Sequence, residues 1–126
     1  MIVGLGFDLV DIERAQRMYV RRGAQLLTRL FTEGEATYAM KRGDPVRHLA
    51  ARLAAKEATY KALAGNALAR AVGWREIEVV SGWDGAPALA LHGRAAERAA
   101  ELGVTRSHVA LSHSALSAGA VVILED

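Results

Sequence analysis

Cysteine is absent from this chain of 126 residues, and proline occurs only twice. Without cysteine the chain has no disulfides, no thiolate metal ligands and no thiol nucleophile. Any metal ion must therefore be held by carboxylates, histidines, water or substrate oxygens. Such a donor set favours a hard cation such as magnesium.

Long apolar runs are also absent. No stretch approaches the roughly 20 apolar residues that span a bilayer. The N-terminal segment MIVGLGFDLVDIER carries Asp8, Asp11 and Glu13 where an export signal would carry basic residues followed by an apolar run. We therefore expect a cytoplasmic protein that neither enters nor binds a membrane.

A large excess of charge of either sign is missing too, because the formal net charge is only +2. Hydrophobic residues make up 52% of the chain and charged residues 24%, which is a globular balance. The length suits one compact domain, which we predict over residues 1–126. Many of the basic residues are arginines between Arg14 and Arg75, and this distribution indicates an anionic ligand or partner.

The N-terminal half contains one predicted strand and several helices. The apolar run from Ile2 to Leu9 predicts a buried strand that ends near Asp8. Asp11 is a predicted N-cap for a helix from Ile12 to about Arg22. The segment from Thr32 to Glu35 has the S/T-x-x-E pattern of a capping box, so a second helix begins there.

The rest of the chain predicts a long helix followed by short strands. Residues 46–64 are rich in helix formers and end at Gly65. Residues 76–81 and 88–92 flank an Asp-Gly turn and predict a hairpin, residues 94–102 predict a helix, and residues 107–113 and 118–124 predict a terminal strand pair. The predicted fold class is α+β, with a mainly antiparallel sheet packed on the long central helix.

Three segments stand out for their chemistry: GFDLVDIER at residues 6–14, RLAAKEATYKAL at residues 52–63 and LSHS at residues 111–114. In this order and at these separations they resemble the signature segments of the holo-acyl-carrier-protein synthase family of phosphopantetheinyl transferases. The resemblance spans nearly the whole chain. It implies the phosphopantetheinyl transferase fold and a magnesium-dependent transfer of 4′-phosphopantetheine from coenzyme A to a serine of an acyl carrier protein.

Charge develops on the pyrophosphate oxygens in such a reaction, so the protein must supply positive charge and geometry. Glu57 and Lys61 stand four residues apart on the predicted long helix and therefore share a face. The resemblance assigns Asp8 and Glu57 to the metal and Lys61 to the coenzyme A phosphates. Lys56 lies about 100° around the helix from Glu57 and is a second candidate for those phosphates.

The remaining assignments follow from the resemblance. Ser112 and His113 match the late S-H segment, which lines the coenzyme A pocket, and we assign His113 to a nucleotide phosphate. Arg14, Arg47 and Arg52 resemble the basic surface that faces the acidic carrier protein, where complementary charge accelerates encounter. The family resemblance also implies a homotrimer with active sites between subunits and no nucleic-acid partner.

Several alternatives stay open at this stage. The base that takes the serine proton is either Glu57 acting through water or Glu35, and Glu35 is equally well explained as the capping-box residue. Glu57 and Lys61 also fit an ordinary surface pair, and His113 a structural histidine. A different class of function is a small module whose arginines bind an acidic protein or nucleic acid without metal.

Overall fold

The computed structural model describes residues 1–126. Five strands and six helices follow one another, with a single 3₁₀ turn before the second strand. In chain order the elements are β1 (Ile2–Asp11), α1 (Ile12–Arg22), α2 (Ala24–Leu30), α3 (Glu33–Met40), α4 (Pro45–Leu63), α5 (Ala67–Ala71), the 3₁₀ turn (Trp74–Glu76), β2 (Ile77–Ser81), β3 (Pro87–Leu91), α6 (Gly93–Glu101), β4 (Arg106–His113) and β5 (Ser117–Glu125).

The strands form two antiparallel sheets, which confirms the predicted α+β class. One sheet has three strands in the order β1-β5-β4, and the other is the hairpin of β2 and β3. Helix α4 packs against β1, β5 and β2, so it contacts both sheets. The sequence indicated one sheet, whereas the hairpin pairs only with itself.

Side-chain caps explain where the helices begin. The carboxylate of Asp11 accepts a hydrogen bond from the Glu13 amide at 3.0 Å and begins α1. Thr32 and Glu35 form the predicted capping box at the start of α3. Asp44 caps α4, and Pro45 occupies its first turn, where a missing N–H costs nothing. These caps confirm the starts that the sequence predicted for α1 and α3.

The close approach of β1 to α4 depends on two glycines. A Cβ atom at Gly6 would lie 1.7 Å from the carbonyl oxygen of Ala58, and one at Gly4 would lie 2.3 Å from that of Ala62. Only a residue without a side chain fits such a contact. The alternation of glycine along β1 therefore brings the strand, and with it Asp8, directly onto the helix.

Two elements differ from the sequence prediction. Strand β1 continues to Asp11, two residues beyond the predicted end, so Asp8 lies within the strand opposite Ala120. Helix α5 was not predicted. It has only five residues and begins where the Asn66 side chain accepts a hydrogen bond from the Ala69 amide at 2.9 Å.

The two faces of the three-stranded sheet differ in exposure. Ala118, Ala120, Val122 and Leu124 of β5 face α4 and are buried. The opposite face, here called the outer face, carries Leu5, Phe7 and Leu9 of β1, each more than half exposed, together with Val121 and Ile123. None of the helices combines the length and apolarity that crossing a bilayer demands.

Candidate functional site

Asp8 is the first component of a polar cluster between β1 and α4. Its side chain is only 11% exposed. One carboxylate oxygen, Oδ1, accepts a hydrogen bond from Lys61 at 2.9 Å. The other oxygen, Oδ2, is buried with no N–H or hydroxyl donor in reach. A buried, unpaired carboxylate oxygen is costly unless a ligand completes its environment.

Lys61 supplies the positive charge of the cluster. Its ammonium group donates to the Phe7 carbonyl at 3.0 Å as well as to Asp8. The side chain is 54% exposed, and an ammonium has three hydrogens to donate, so one still faces outward. Lys61 can therefore bind an anionic group while it keeps its hydrogen bonds to Phe7 and Asp8 of β1.

Glu57 is the third component, one helical turn before Lys61. Its pKa is raised to about 7, first because the side chain is partly buried, then because the neighbouring Asp8 carboxylate favours the protonated form of Glu57 and repels the ionised form. The charges of Lys61 and Arg14 oppose this rise. Asp8 and Glu57 thus lie close enough to share a proton, although 49 positions separate them in the sequence.

A cavity of about 400 Å³ opens beside this cluster. One wall is the α4 face that carries Glu57, Tyr60 and Lys61. The opposite wall comes from the segment of residues 70–77, which includes the 3₁₀ turn. A cavity of this size accommodates part of a nucleotide-sized ligand.

The acidic side chains of the cluster suit a metal shared with a substrate. No group of three or more histidine, cysteine, aspartate or glutamate side chains is arranged to hold a metal ion alone. Two carboxylates are nevertheless what magnesium usually takes from a protein, because water and phosphate oxygens complete its octahedron. The unpaired Oδ2 of Asp8 and the raised pKa of Glu57 fit such a cation.

Lys56 lies beside Glu57 in the sequence, but its ammonium group is already fully engaged. It forms an ion pair with Glu35 at 2.7 Å and donates to the carbonyl oxygens of Trp74 and Ile77. Because all three hydrogens are used inside the protein, the expectation that Lys56 binds a coenzyme A phosphate is wrong.

Glu35 is equally inaccessible. Only 1% of the residue is exposed, and its carboxylate accepts from the backbone amides of Thr32 and Val79 besides pairing with Lys56. The possibility that Glu35 acts as the base for a carrier serine is therefore ruled out. Glu57 stays as the candidate.

A second polar pocket, here called the anion pocket, lies toward the other end of α4. It encloses about 340 Å³ between α3, α4, β4 and the β2–β3 hairpin. Arg52 lines it but is 4% exposed, so the prediction that Arg52 contacts a carrier protein is wrong. The Arg52 guanidinium lies 4.0 Å from the centre of the Tyr38 ring, and its buried Nε atom has no partner.

The anion pocket is strongly positive. Arg42 covers the Tyr38 ring at 4.1 Å, and the Tyr38 pKa is lowered, mainly by a hydrogen bond with Arg42. The pKa of His48 is lowered by burial first and then by the charges of Arg52, Arg42 and His113. A negative charge bound here would relieve this repulsion.

His113 and Ser112 end strand β4 on different faces. His113 lines the anion pocket near His48. Ser112 pairs with Gly119 and points to the outer face, away from Asp8. Neither residue lines the cavity beside Glu57 in the same chain. His48 and Glu57 are nine residues apart in α4, a separation of about 13 Å along the helix axis.

The two remaining predicted arginines lie on the surface. Arg14 is exposed on α1, and its charge acts on Glu57. Arg47 lies in the first turn of α4, where its guanidinium approaches the Asp44 carboxylate at 3.2 Å. The structure thus brings Arg14, but not Arg47, near the Asp8–Glu57–Lys61 cluster of its own chain.

Residues 4–117 match the family described as the 4′-phosphopantetheinyl transferase superfamily. The chain belongs to this superfamily. The resemblance carried by the three sequence segments is therefore confirmed. As a superfamily member, the chain is a phosphopantetheinyl transferase.

Individual members of the superfamily are similar to this chain over nearly its full length. The chain is 42% identical over 125 residues to a holo-[acyl-carrier-protein] synthase of Syntrophus aciditrophicus, covering 99% of this chain and 97% of that protein. The solved holo-[acyl-carrier-protein] synthase of Neisseria meningitidis is similar with a TM-score of 0.87 and 28% identity, covering 100% of both chains. A synthase from Bacillus anthracis, solved in complex with CoA (3′,5′-ADP), has a TM-score of 0.77 and 30% identity, covering 98% of this chain and 96% of that one. These likenesses confirm the predicted fold.

Sequence reasoning missed Tyr38 and His48, which line the anion pocket of this transferase, and Arg42, which lies over the Tyr38 ring. Arg42 and His48 flank the turn before α4, and Tyr38 precedes them by four and ten residues. The sequence did contain a sign of a cationic site, because residues 41–48 combine a histidine, a lysine and two arginines with Asp44 as the only carboxylate. The ring of Tyr38, however, gave no sign that it would lie between two guanidinium groups.

Proposed function

We propose that this enzyme transfers 4′-phosphopantetheine from coenzyme A to a serine of an apo acyl carrier protein. The products are the holo carrier protein and adenosine 3′,5′-bisphosphate. The single observation that carries the proposal is the meeting of Asp8, Glu57 and Lys61 beside a cavity, in a chain of the phosphopantetheinyl transferase superfamily.

Magnesium is the cofactor we infer, with Asp8 and Glu57 as its protein ligands. When bound, the ion supplies positive charge to the diphosphate of the donor. Two features of the site suit magnesium. One is the unpaired Asp8 oxygen, and the other is the repulsion between the two carboxylates, which a bound cation would remove.

The reaction needs little covalent chemistry from the protein. The serine oxygen forms a bond to the phosphorus next to pantetheine, and the bond from that phosphorus to the bridging oxygen breaks. Adenosine 3′,5′-bisphosphate leaves with the bridging oxygen. Lys61 holds a diphosphate oxygen through its outward-facing hydrogen, and the deprotonated Glu57 carboxylate receives the serine proton through a water molecule.

The anion pocket is the proposed site for a further phosphate of coenzyme A. The buried Nε of Arg52 has no partner, and His113 and His48 stand beside it. Coenzyme A carries a 3′-phosphate besides its diphosphate, so two separate cationic sites match its charge. His113 thereby keeps its predicted role at a nucleotide phosphate, and Arg52 becomes a phosphate ligand instead of a carrier contact.

The active enzyme is proposed to be a homotrimer with sites between subunits. Within one chain the anion pocket and the Glu57 cavity share no lining residue. Ser112 lies on the outer face, where apolar side chains of β1 are exposed and those of β5 are half-buried. An apolar face of this kind marks an association surface. In the proposed trimer a neighbouring subunit docks on this face and contributes its Ser112 and His113 to the site beside this subunit's Glu57.

The surface around Arg14 is the proposed contact for the carrier protein. Arg14 acts electrostatically on Glu57, so an acidic carrier attracted to Arg14 delivers its serine beside the reacting groups. Arg47 stays a predicted contact for the carrier protein. We place the reaction in the cytoplasm, where coenzyme A and carrier proteins meet. The carrier is that of a fatty-acid, polyketide or peptide synthase.

The proposal is tested by incubating the protein with coenzyme A, magnesium and a panel of apo carrier proteins. The intact mass of at least one carrier should rise by one phosphopantetheine, and chelation of magnesium should prevent the rise. Asp8→Ala and Glu57→Ala should stay folded and lose transfer, whereas Glu13→Ala, an exposed acidic residue on α1, serves as the matched control. Unchanged carrier mass across the panel, or native-like transfer by the Asp8→Ala/Glu57→Ala double variant, would contradict the proposal.

A further inference from the structure

The ion pair of Lys56 and Glu35 is the most deeply buried charge in the protein. The Lys56 ammonium lies 2.7 Å from Oε1 of Glu35, and both side chains have 0% exposure. The catalytic scheme above uses neither residue. Burial lowers the pKa of Lys56, and the charge of Glu35 opposes that effect.

The pair and its backbone partners belong to four elements. Lys56 of α4 also donates to the carbonyl of Trp74, in the 3₁₀ turn, at 2.8 Å and to that of Ile77 in β2. Glu35 of α3 accepts from the amide of Val79 in β2 at 2.9 Å. The pair therefore fastens the segment of residues 74–79 to helices α3 and α4.

Fold stability alone is a weak reason for such a pair. Removing two charges from water costs about as much as their attraction returns, and well-packed apolar residues often serve as well or better. An apolar pair, however, would leave the carbonyls of Trp74 and Ile77 without a donor. What the charged pair adds is the fixed position of these two carbonyls.

Their position matters because they belong to the wall of the cavity beside Glu57. Gly73, Trp74 and Ile77 line one side of that cavity, and Glu57 and Lys61 line the other. Lys56 is the only side chain of the helix wall that donates to the backbone of residues 74–77. The hydroxyl of Tyr60 also reaches the opposite wall, but at Arg70, whose carbonyl oxygen lies 3.5 Å away.

We propose that Lys56 and Glu35 are positioning residues that set the width of the coenzyme A cavity by holding residues 74–77 against α4. The identity of the ligand rests on the proposed function, whereas the positioning of the wall does not. Loss of the pair should weaken coenzyme A binding and leave carrier binding unchanged.

The test uses Lys56→Met, Glu35→Gln and the double variant. Each single variant leaves a polar group unpaired, so its melting temperature should fall. The double variant has no charge at positions 35 and 56 and nearly the native shape, so it should recover much of that loss. Coenzyme A binding, measured by calorimetry, should nevertheless stay at least about tenfold weaker in the double variant, because 1.4 kcal/mol corresponds to a factor of ten and the two carbonyls still lack their donor. The KM for the carrier should change less than twofold.

Leu30→Ala is the matched control for lost stability, because Leu30 is buried in a separate apolar cluster with Phe31 and Leu49. It should lower the melting temperature and leave coenzyme A binding unchanged. Native-like coenzyme A binding by both Lys56→Met variants, or equal weakening by Leu30→Ala, would overturn the proposal.

A second measurement keeps the inference separate from the proposed function. In a Trp83→Phe background Trp74 is the only tryptophan. Lys56→Met should then increase quenching of Trp74 fluorescence by acrylamide, because the wall is released. Failure of the parent protein to bind coenzyme A would defeat the proposed function, whereas unchanged quenching would defeat the positioning role.

Discussion

The carboxyl groups of Asp8 and Glu57 oppose each other electrostatically. Two carboxylates that share a site cannot both ionise easily, and one of them takes a raised pKa. Here that residue is Glu57, with a pKa of about 7. Ionising both groups costs stability, and the arrangement therefore favours binding of a cation that needs both groups ionised.

This repulsion predicts a pH-dependent stability. The folded protein holds the Glu57 proton more tightly than the unfolded chain does, because the pKa rises from 4.5 to about 7 on folding. The contribution to the free energy of unfolding is therefore fully present below pH 4.5 and is lost as the pH rises through 7. Thermal unfolding without metal should show this decline, and Glu57→Gln should flatten it.

Magnesium should reverse the same decline. It binds the deprotonated carboxylates, so its stabilising effect should grow between pH 6 and pH 8. Asp8→Asn, which removes one of the causes of the raised pKa, should shrink both effects. A pH profile that is identical in Glu57→Gln and the parent protein would show that another group is responsible.

His48 reports on the anion pocket. Its pKa is lowered by burial and by the surrounding positive charges. Binding of adenosine 3′,5′-bisphosphate should raise this pKa, because the phosphate offsets those charges. The measurement is a histidine NMR titration with and without the nucleotide. His92, which pairs with Glu78 outside the pocket, is the control, and the nucleotide should leave its NMR signal unchanged. A His48 signal that titrates identically in both samples would place the phosphate elsewhere.

At the residue scale the sequence was informative where side-chain type alone decides the chemistry. Asp8, Glu57 and Lys61 were predicted from their motifs and lie together in the structure. Lys56 and Arg52 were misassigned because a periodic helix does not reveal how deep each side chain lies. Charged residues are rarely fully buried, so both were expected to reach solvent.

At the scale of elements, the site depends on the contact of β1 with α4. Gly6→Ala should destabilise the protein by more than about 3 kcal/mol, because its Cβ would overlap the backbone carbonyl of Ala58, which cannot move aside as a side chain can. Chemical denaturation measures the loss. Gly43→Ala is the matched control, since nothing lies within 4 Å of a Cβ there, and it should be neutral or slightly stabilising. Equal stability of the two variants would show that β1 and α4 separate easily.

The helices were more predictable than the arrangement of the strands. Asp11, Thr32 and Pro45 mark helix starts through local hydrogen bonds and backbone geometry, which a short window of sequence contains. The division of the strands into two sheets depends instead on pairing between distant segments, such as β1 with β5. Local patterns cannot specify such partners.

At the scale of the whole molecule, the outer face predicts association. Leu5→Glu should give a folded monomer without transfer activity, because a charge on this face opposes burial of its apolar neighbours and the proposed site needs a second subunit. Sedimentation measures the oligomeric state. Trp83→Glu is the control, since Trp83 is 100% exposed on the hairpin turn, away from the outer face. Full activity of a Leu5→Glu monomer would contradict the shared site.

The 19 residues of α4 carry both polar sites, with His48 and Arg52 toward one end and Glu57 and Lys61 toward the other. Inserting or deleting one residue between Arg52 and Glu57 would turn one site about 100° relative to the other and shift it by about 1.5 Å. Insertions and deletions in this stretch of α4 should therefore abolish transfer activity, whereas insertions in the turn at residues 82–86 should be tolerated. In that sense the helix fixes the distance between the two half-sites of one subunit, and with it the spacing at which neighbouring subunits must dock to complete a shared site.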